Sequence, residues 1–190
     1  YEVAEKYSVK FEDMPILIAL WEQEIKWSLW DEKPEEWNPD IINENGLIGI
    51  GQLSPGALAD VALYYSNEFP EYRQYAKSVD KLTKSEKNEI KEELKNREVN
   101  VKVSAYYFRM VEDKYGFKKL ENQLMAYNAG PTVTTNILNE FEKTGKTSWG
   151  DYKEFLRSKE GGLKFISSDK AEEIIDYVET ICTNIGYALV

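Results

Sequence analysis

Ala126-Tyr127-Asn128-Ala129-Gly130-Pro131 is the stretch of sequence that decides the fold of this chain. Its glycine and proline predict the end of one helix and the start of the next, because Gly accepts left-handed turns and Pro suits a first helical turn. A phenol and a carboxamide at a helix end also suit a sugar, since the amide both donates and accepts hydrogen bonds. Taken alone, the stretch is better explained as a helix cap followed by a new helix.

Hydrophobic periodicity predicts helices along most of the remaining chain. Three of them have start signals: Asp13-Met14-Pro15, Ser54-Pro55 and the capping box Thr83-Lys84-Ser85-Glu86. We expect helices at residues 16–30, 55–69, 84–95, 100–115, 118–128, 132–143, 149–157 and 169–188. Residues 31–45 look like a loop, and 46–53 like a tight turn or a small strand. The predicted fold class is all-α, with at most a very small sheet.

The length predicts one domain. A chain of 190 residues can bury one core of ordinary size, so we expect a single domain over residues 1–190. Residues from about 70 to 98 are the most polar part of the chain and are interpreted as a helical insertion.

The composition excludes several classes of function. A net charge of −10 argues against nucleic-acid binding, which needs a basic surface. The chain contains no His, so histidine-based catalysis and His metal sites are excluded, and we expect no metal and no cofactor. No apolar stretch approaches the ~20 residues of a membrane span. Cys182 is the only cysteine, which excludes an internal disulfide, and we expect it in the core.

Glu24 lies within an apolar segment, Ile16 to Trp27, that is too densely hydrophobic for a surface helix. Trp21 and Trp27 are three residues to either side and share nearly the same helix face. A carboxyl group against indoles is poorly solvated, so we expect its pKa to rise, as suits a general acid near neutral pH. The alternative is that Glu22 and Glu24 both point to solvent, because charged residues are rarely buried.

Five blocks of the sequence, in the same order, resemble the lytic transglycosylase and goose-type lysozyme family. Ile16 to Trp27 resembles the family segment that ends Glu-Ser-x-Phe. Gly49-Ile50-Gly51-Gln52-Leu53-Ser54-Pro55 resembles the Gly-Leu-Met-Gln-Leu-Met-Pro signature, and Asn100-Val101-Lys102-Val103-Ser104-Ala105-Tyr106-Tyr107-Phe108 the Asn-Ile-x-x-Gly-x-x-Tyr-Leu helix. Residues 126–131 match Ala-Tyr-Asn-Ala-Gly-Pro, and Glu173-Ile174-Ile175-Asp176-Tyr177-Val178 is similar to Glu-Thr-x-x-Tyr-Val. The resemblance implies a single helical, lysozyme-like domain with a substrate cleft.

The resemblance also implies roles for individual residues. It makes Glu24 the catalytic acid and base. It implies that residues of the other blocks hold the saccharide: Gln52, Ser54, Tyr127, Asn128, Glu173 and Tyr177. Core packing is the structural alternative for Tyr177, and a salt bridge along the helix is the alternative for Glu173. We expect Asn100 to cap its helix and not to contact the substrate.

The chain departs from the family pattern beside the expected site. Ile25 replaces a Ser next to Glu24 and makes the surroundings of the carboxyl more apolar. Ser104 replaces a Gly, and Gly51 and Ser54 replace Met residues that line the site in the family. These changes bear on the fit of the substrate more than on the fold.

The resemblance implies cleavage of the β-1,4 bond between N-acetylmuramic acid and N-acetylglucosamine in peptidoglycan. Transglycosylases of the family need one carboxylate and leave 1,6-anhydromuramyl ends. A goose-type lysozyme or a chitinase that hydrolyses the glycan with a second carboxylate stays open, because several acids lie between Glu24 and Gln52: Asp31, Glu32, Glu35, Glu36, Asp40 and Glu44. The alternative of another class is a non-catalytic glycan-binding or virion-structural domain.

The implied partner is the glycan strand of peptidoglycan, with no nucleic acid and no membrane span in this chain. We expect a monomer that acts outside the cytoplasm, in the periplasm, at the cell wall or with a phage. The chain starts at Tyr1 and shows no signal-peptide pattern, so we interpret it as a processed form or an excised piece that lacks the export signal.

Overall fold

The computed structural model describes residues 13–29, 42 and 46–189, and in the first range it describes side chains up to Glu24. These residues are mostly helical, which confirms the prediction of an all-α fold. Extended structure in the described part consists of isolated bridges that Ile48 makes with Ile42 and Leu53.

Contacts divide the chain into two compact units, the first ending at Met110 and the second beginning at Val111. The boundary lies inside the helix Arg97–Tyr115. The single domain over residues 1–190, the insertion at about 70–98 and the lysozyme-like cleft stay predictions.

The first unit is a group of helices around a short turn. Its elements are α1 (Met14–Leu29), α2 (Pro55–Tyr64), 3₁₀ turns at Pro70–Tyr75 and Val79–Lys81, α3 (Lys84–Leu94) and the first part of α4 (Arg97–Tyr115). α2 packs against α3 and against both 3₁₀ turns. Leu58 and Val61 of α2 and Ile90 and Leu94 of α3 are completely buried. The polar segment at 70–98 therefore contributes its own apolar residues to the core of this unit.

The second unit contains the end of α4 and the helices that follow. These are α5 (Leu120–Ala129), α6 (Pro131–Glu142), α7 (Trp149–Leu156), a 3₁₀ turn at Gly162–Lys164 and α8 (Ser168–Asn184). α5 packs against both α6 and α8, and α7 packs against α6. Cys182 on α8 is 1% exposed, which confirms its expected place in the core. Burial raises the pKa of the Cys182 thiol to about 12.

Local start signals place several helices where the sequence predicts them. The Ser54 hydroxyl accepts a hydrogen bond from the Ala57 N–H at 3.3 Å, and Pro55 occupies the first turn of α2. At the start of α3, Thr83 Oγ1 accepts from the Glu86 N–H, and the Glu86 carboxylate accepts from the Thr83 N–H at 2.9 Å. This reciprocal pair confirms the predicted capping box.

Three helix boundaries differ from the prediction by three residues or more: the end of α2, the start of α4 and the end of α8, which lies at Asn184 and not at Ala188. α2 ends at Tyr64 and does not reach Phe69, since Phe69 precedes Pro70 and takes a non-helical conformation with φ −127° and ψ 48°. α4 begins at Arg97, because the Asn96 side chain accepts hydrogen bonds from the N–H groups of Glu98 and Val99. The prediction that Asn100 caps this helix is therefore wrong.

No helix within the described ranges combines the length and the apolar character that crossing a bilayer requires.

Glu86 generates a prediction about acid stability. Its carboxylate accepts hydrogen bonds from Lys77 Nζ at 2.6 Å and from the Thr83 N–H, and these bonds lower its pKa from 4.5 to about 2. Because the folded-state pKa is depressed, the stabilisation is present above pH 4.5 and is lost as the pH falls toward 2. We expect Glu86→Gln to lower the melting temperature at neutral pH, and the difference from wild type to vanish in acid.

Thermal unfolding followed by circular dichroism between neutral pH and a pH of about 2 measures this difference. Glu160→Gln is the control, because Glu160 is exposed in a turn. A difference between Glu86→Gln and wild type that does not change with pH would contradict the assignment.

Candidate functional site

α1 places Glu24 on the side of the helix that faces the core. Ile18 and Glu22 are exposed, and Glu24 lies about 200° around the helix from Glu22 at 3.6 residues per turn. Its angular neighbours on the helix are Leu17 and Leu20, both completely buried. Glu24 itself is only half-buried. Glu24 therefore keeps part of its surface exposed on the inward-facing side of α1, whereas Glu22 is the residue that points outward.

Trp21 lies on the same inward-facing side of α1 as Glu24. Its indole Nε1 donates a buried hydrogen bond of 2.6 Å to the Ser104 hydroxyl on α4. The side chains of Ile25 and Trp27 lie outside the described residues, so the predicted contact of Glu24 with two indoles stays a prediction. The acids considered for a second carboxylate also lie outside the described residues: Asp31, Glu32, Glu35, Glu36, Asp40 and Glu44.

Gln52 lies in a tight turn, as the sequence predicts for residues 46–53. Ile48 and Leu53 exchange both backbone hydrogen bonds at 3.0 Å, and the Gln52 N–H donates to the Gly49 carbonyl at 3.0 Å. Gly49 has φ +70°, a left-handed conformation that suits glycine. Gln52 has φ +43°, which a residue with a side chain adopts at a cost in free energy.

Asn100 of α4 holds this turn. Its Nδ2 donates to the Ile48 carbonyl at 2.9 Å and to the Leu94 carbonyl at 3.0 Å, while its Oδ1 accepts from the Gly51 N–H at 2.9 Å. The Asn100 side chain is completely buried. A Cβ on Gly49 would clash with this amide, so the turn and the carboxamide fit only with glycine at that position.

One face of α4 supports both the turn and α1. Asn100 and Ser104 are one helical turn apart, which places them on the same face and separates them by about 6 Å along the axis. Asn100 binds the turn that carries Gln52, and Ser104 binds Trp21 of α1. The structure therefore attaches the helix of Glu24 and the turn of Gln52 to neighbouring positions on α4.

The Gln52 amide has a defined orientation. Its Nε2 donates to the Gly49 carbonyl at 2.8 Å, while its Oε1 is buried without a hydrogen-bond partner. The reversed amide would place two carbonyl oxygens against each other, so the orientation follows from the contact. Gln52 therefore has a buried carbonyl oxygen whose hydrogen-bonding capacity is unused. Ser54 caps α2, and its contact with a saccharide stays a prediction.

The second unit brings Asn128 and Glu173 together. Asn128 Nδ2 donates to Glu173 Oε1 at 3.1 Å, and Lys170 Nζ donates to the same oxygen at 2.7 Å and to the Asn128 carbonyl at 3.4 Å. The salt bridge considered as the alternative for Glu173 is therefore present. Asn128 Oδ1 is buried without a hydrogen-bond partner, as is Gln52 Oε1.

The two tyrosines predicted to bind saccharide are largely buried. Tyr127 of α5 is 9% exposed and Tyr177 of α8 is 2% exposed. Tyr177 thus packs in the core, in agreement with the structural alternative. Contact of either phenol with a glycan stays a prediction.

Buried side-chain oxygens without a hydrogen-bond partner are rare among the described residues. They belong to Gln23, Gln52, Glu121 and Asn128. Gln52 and Asn128 are residues that the sequence singles out, whereas Gln23 and Glu121 are not. Gln23 could have been singled out from the sequence, because it is an amide directly before Glu24 within an apolar helix. Within the described ranges, no three acidic or cysteine side chains form a group that could hold a metal ion.

The hydrogen bonds of Asn100 predict the stability of two variants. Asn100→Ala removes three buried hydrogen bonds, those to the Gly51 N–H and to the Ile48 and Leu94 carbonyls, so we expect a loss of about 3 kcal/mol in the free energy of unfolding. Asn100→Asp keeps the acceptor for Gly51 but turns a carboxylate toward the two carbonyls, and it should also destabilise strongly. Urea denaturation measures both losses.

Asn136→Ala is the matched control for these variants. Asn136 is exposed on α6, and we expect a change within about 0.5 kcal/mol. If Asn100→Ala were as stable as Asn136→Ala, the turn would not depend on Asn100.

In comparisons with known proteins, no family model, no curated sequence and no solved structure matches this chain.

Proposed function

We propose that this chain is a peptidoglycan lytic transglycosylase in which Glu24 is the catalytic acid and base. The observation that carries the proposal is the position of Glu24 on the inward-facing side of α1, half-buried beside completely buried leucines. A partly desolvated carboxyl group that solvent can still reach suits proton transfer to a glycosidic oxygen. The ordered sequence blocks from residue 16 to residue 178 support peptidoglycan as the substrate.

The proposed reaction needs a single carboxyl group. Glu24 donates its proton to the glycosidic oxygen as the bond to the anomeric carbon of N-acetylmuramic acid breaks. The N-acetyl group of the same sugar assists from the opposite side. The Glu24 carboxylate then removes the proton from the C6 hydroxyl, whose oxygen bonds to the anomeric carbon and forms the 1,6-anhydro ring. Glu24 ends the cycle protonated, so no water is consumed.

The proposed glycan contacts are hydrogen bonds to side-chain acceptors. Gln52 and Asn128 each present a buried carbonyl oxygen that has no partner in the protein. Amino sugars with N-acetyl groups carry hydroxyl and amide N–H donors that could satisfy such acceptors. Under this proposal the protein acts on glycan strands outside the cytoplasm.

Glu24→Gln tests the catalytic assignment. The amide has nearly the same shape but cannot transfer the proton, so we expect release of soluble fragments from purified peptidoglycan to fall by a factor of about 10² to 10⁴. Glu22→Gln is the matched control, because Glu22 is exposed on the same helix, and it should keep full activity. Circular dichroism checks that both variants are folded.

Mass spectrometry of the released fragments identifies the reaction. The proposal predicts anhydromuramyl ends, which are lighter than reducing ends by one water. Reducing ends would indicate hydrolysis with a second carboxylate, and binding without any release would indicate a non-catalytic glycan-binding domain. Full activity of Glu24→Gln would refute the role of Glu24.

Substitutions of Gln52 should have separate effects on stability and on activity. Gln52→Gly and Gln52→Ala both remove the unpartnered acceptor, so both should raise KM for peptidoglycan fragments about tenfold. Only glycine also relieves the left-handed strain, so Gln52→Gly should be more stable than Gln52→Ala by about 1 kcal/mol. Initial-rate kinetics and urea denaturation measure the two effects. Unchanged kinetics in both variants would remove Gln52 from the site.

A further inference from the structure

We infer that Ser104 is a positioning residue, which fixes the orientation of Glu24 through its hydrogen bond with Trp21. This inference rests on the proposed role of Glu24 as acid and base. It concerns a contact that belongs to this chain, since the resembling family carries a glycine, with no side-chain acceptor, at the position of Ser104.

The hydrogen bond itself is buried and directional. Trp21 Nε1 lies 2.6 Å from the Ser104 hydroxyl oxygen, with Trp21 8% exposed and Ser104 completely buried. A buried indole N–H that lost its acceptor would lose this bond without gaining one from bulk water. The Ser104 hydroxyl therefore stabilises the folded protein by accepting this hydrogen bond.

The bond constrains the rotation of α1 about its own axis. Leu17 and Leu20 of α1 are completely buried, and the apolar attraction that holds them is non-directional. An N–H···O bond does set one, because it weakens steeply when it departs from linearity. The rigid indole transmits that constraint from α4 to the backbone of α1.

Glu24 is close enough to Trp21 along α1 for this constraint to affect the position of its carboxylate. Trp21 and Glu24 are three residues apart, which puts them about 60° apart around the helix and about 4.5 Å apart along its axis. A small rotation of α1 at Trp21 therefore displaces the carboxylate by a similar angle. Displacements of about 1 Å can reduce the rate of a catalysed reaction by up to a hundredfold.

The face of α4 that binds Trp21 also holds the turn that carries Gln52. Asn100, one turn before Ser104, holds the turn that carries Gln52. Rotation of α1 relative to α4 would therefore change the placement of Glu24 relative to a residue proposed to bind the glycan. The two hydrogen-bonding side chains of α4 together set the spacing between acid and acceptor.

A kinetic double-mutant cycle with Ser104→Ala, Trp21→Phe and the double variant tests the inference. With soluble peptidoglycan oligomers of defined length, each single substitution should lower kcat about tenfold and leave KM within about twofold. The double variant should be no slower than the slower single variant, because the first substitution already breaks the bond. Substitutions that act independently would multiply to about a hundredfold loss.

Two further variants separate positioning from general destabilisation. Ser104→Thr keeps the hydroxyl acceptor and should restore kcat to near the wild-type value. Tyr152→Phe removes another buried hydroxyl, the one that contacts Met125 Sδ at 3.0 Å in the second unit. It should lower the melting temperature without lowering kcat. All rates are compared at a temperature at which circular dichroism shows each variant to be folded.

The outcomes distinguish this inference from the proposed function. If Glu24→Gln is inactive while Ser104→Ala and Trp21→Phe keep the wild-type kcat, the positioning role is wrong and the proposed function stands. The same holds if the two substitutions combine multiplicatively. If the wild-type chain releases no fragments, or if Glu24→Gln stays active, the proposed function fails and the inference fails with it.

Discussion

The first unit depends on a carboxamide that is buried where no solvent can replace it. Asn100 accepts from the Gly51 N–H in the turn and donates to two carbonyls, one in the bridge at Ile48 and one at the end of α3 at Leu94. Because an unpaired buried backbone group costs free energy, the tight turn at 48–53 needs such a side chain to exist inside the protein. The turn in turn fixes Gln52 in its left-handed conformation. A structural residue on α4 thereby determines the geometry of a candidate binding residue far away in the sequence.

The two candidate amides agree in polarity although they lie in different units. The Gln52 side-chain amide donates to the Gly49 carbonyl, and the Asn128 side-chain amide donates to the Glu173 carboxylate. The side-chain oxygen of each residue is buried without a hydrogen-bond partner. Each of these oxygens is buried, which costs free energy in the folded protein. The net charge of −10 disfavours recognition of anions through bulk electrostatics, and peptidoglycan carries carboxylates, so recognition under the proposal depends on individual hydrogen bonds.

Local chemistry explains which features the sequence could predict. The capping box at Thr83, the start of α2 at Ser54-Pro55 and the core position of Cys182 depend on neighbouring residues or on helical periodicity, and all three are confirmed. The role of Asn100 was predicted wrongly, because its partners Ile48 and Gly51 are remote in sequence and Asn96 supplies the cap. Likewise, the bond between Trp21 and Ser104 joins residues that no spacing rule connects. Long-range partners of polar side chains are what a sequence pattern alone does not contain.

The burial of Cys182 has a practical consequence for experiments in solution. Only the thiolate reacts readily with alkylating reagents, and this thiol is both enclosed and held in the protonated form. While α8 stays packed, the chain should behave toward such reagents as if it contained no cysteine. A cysteine introduced at an exposed position could then carry a single fluorescent or spin label, and labelling of Cys182 would report the opening of the second unit.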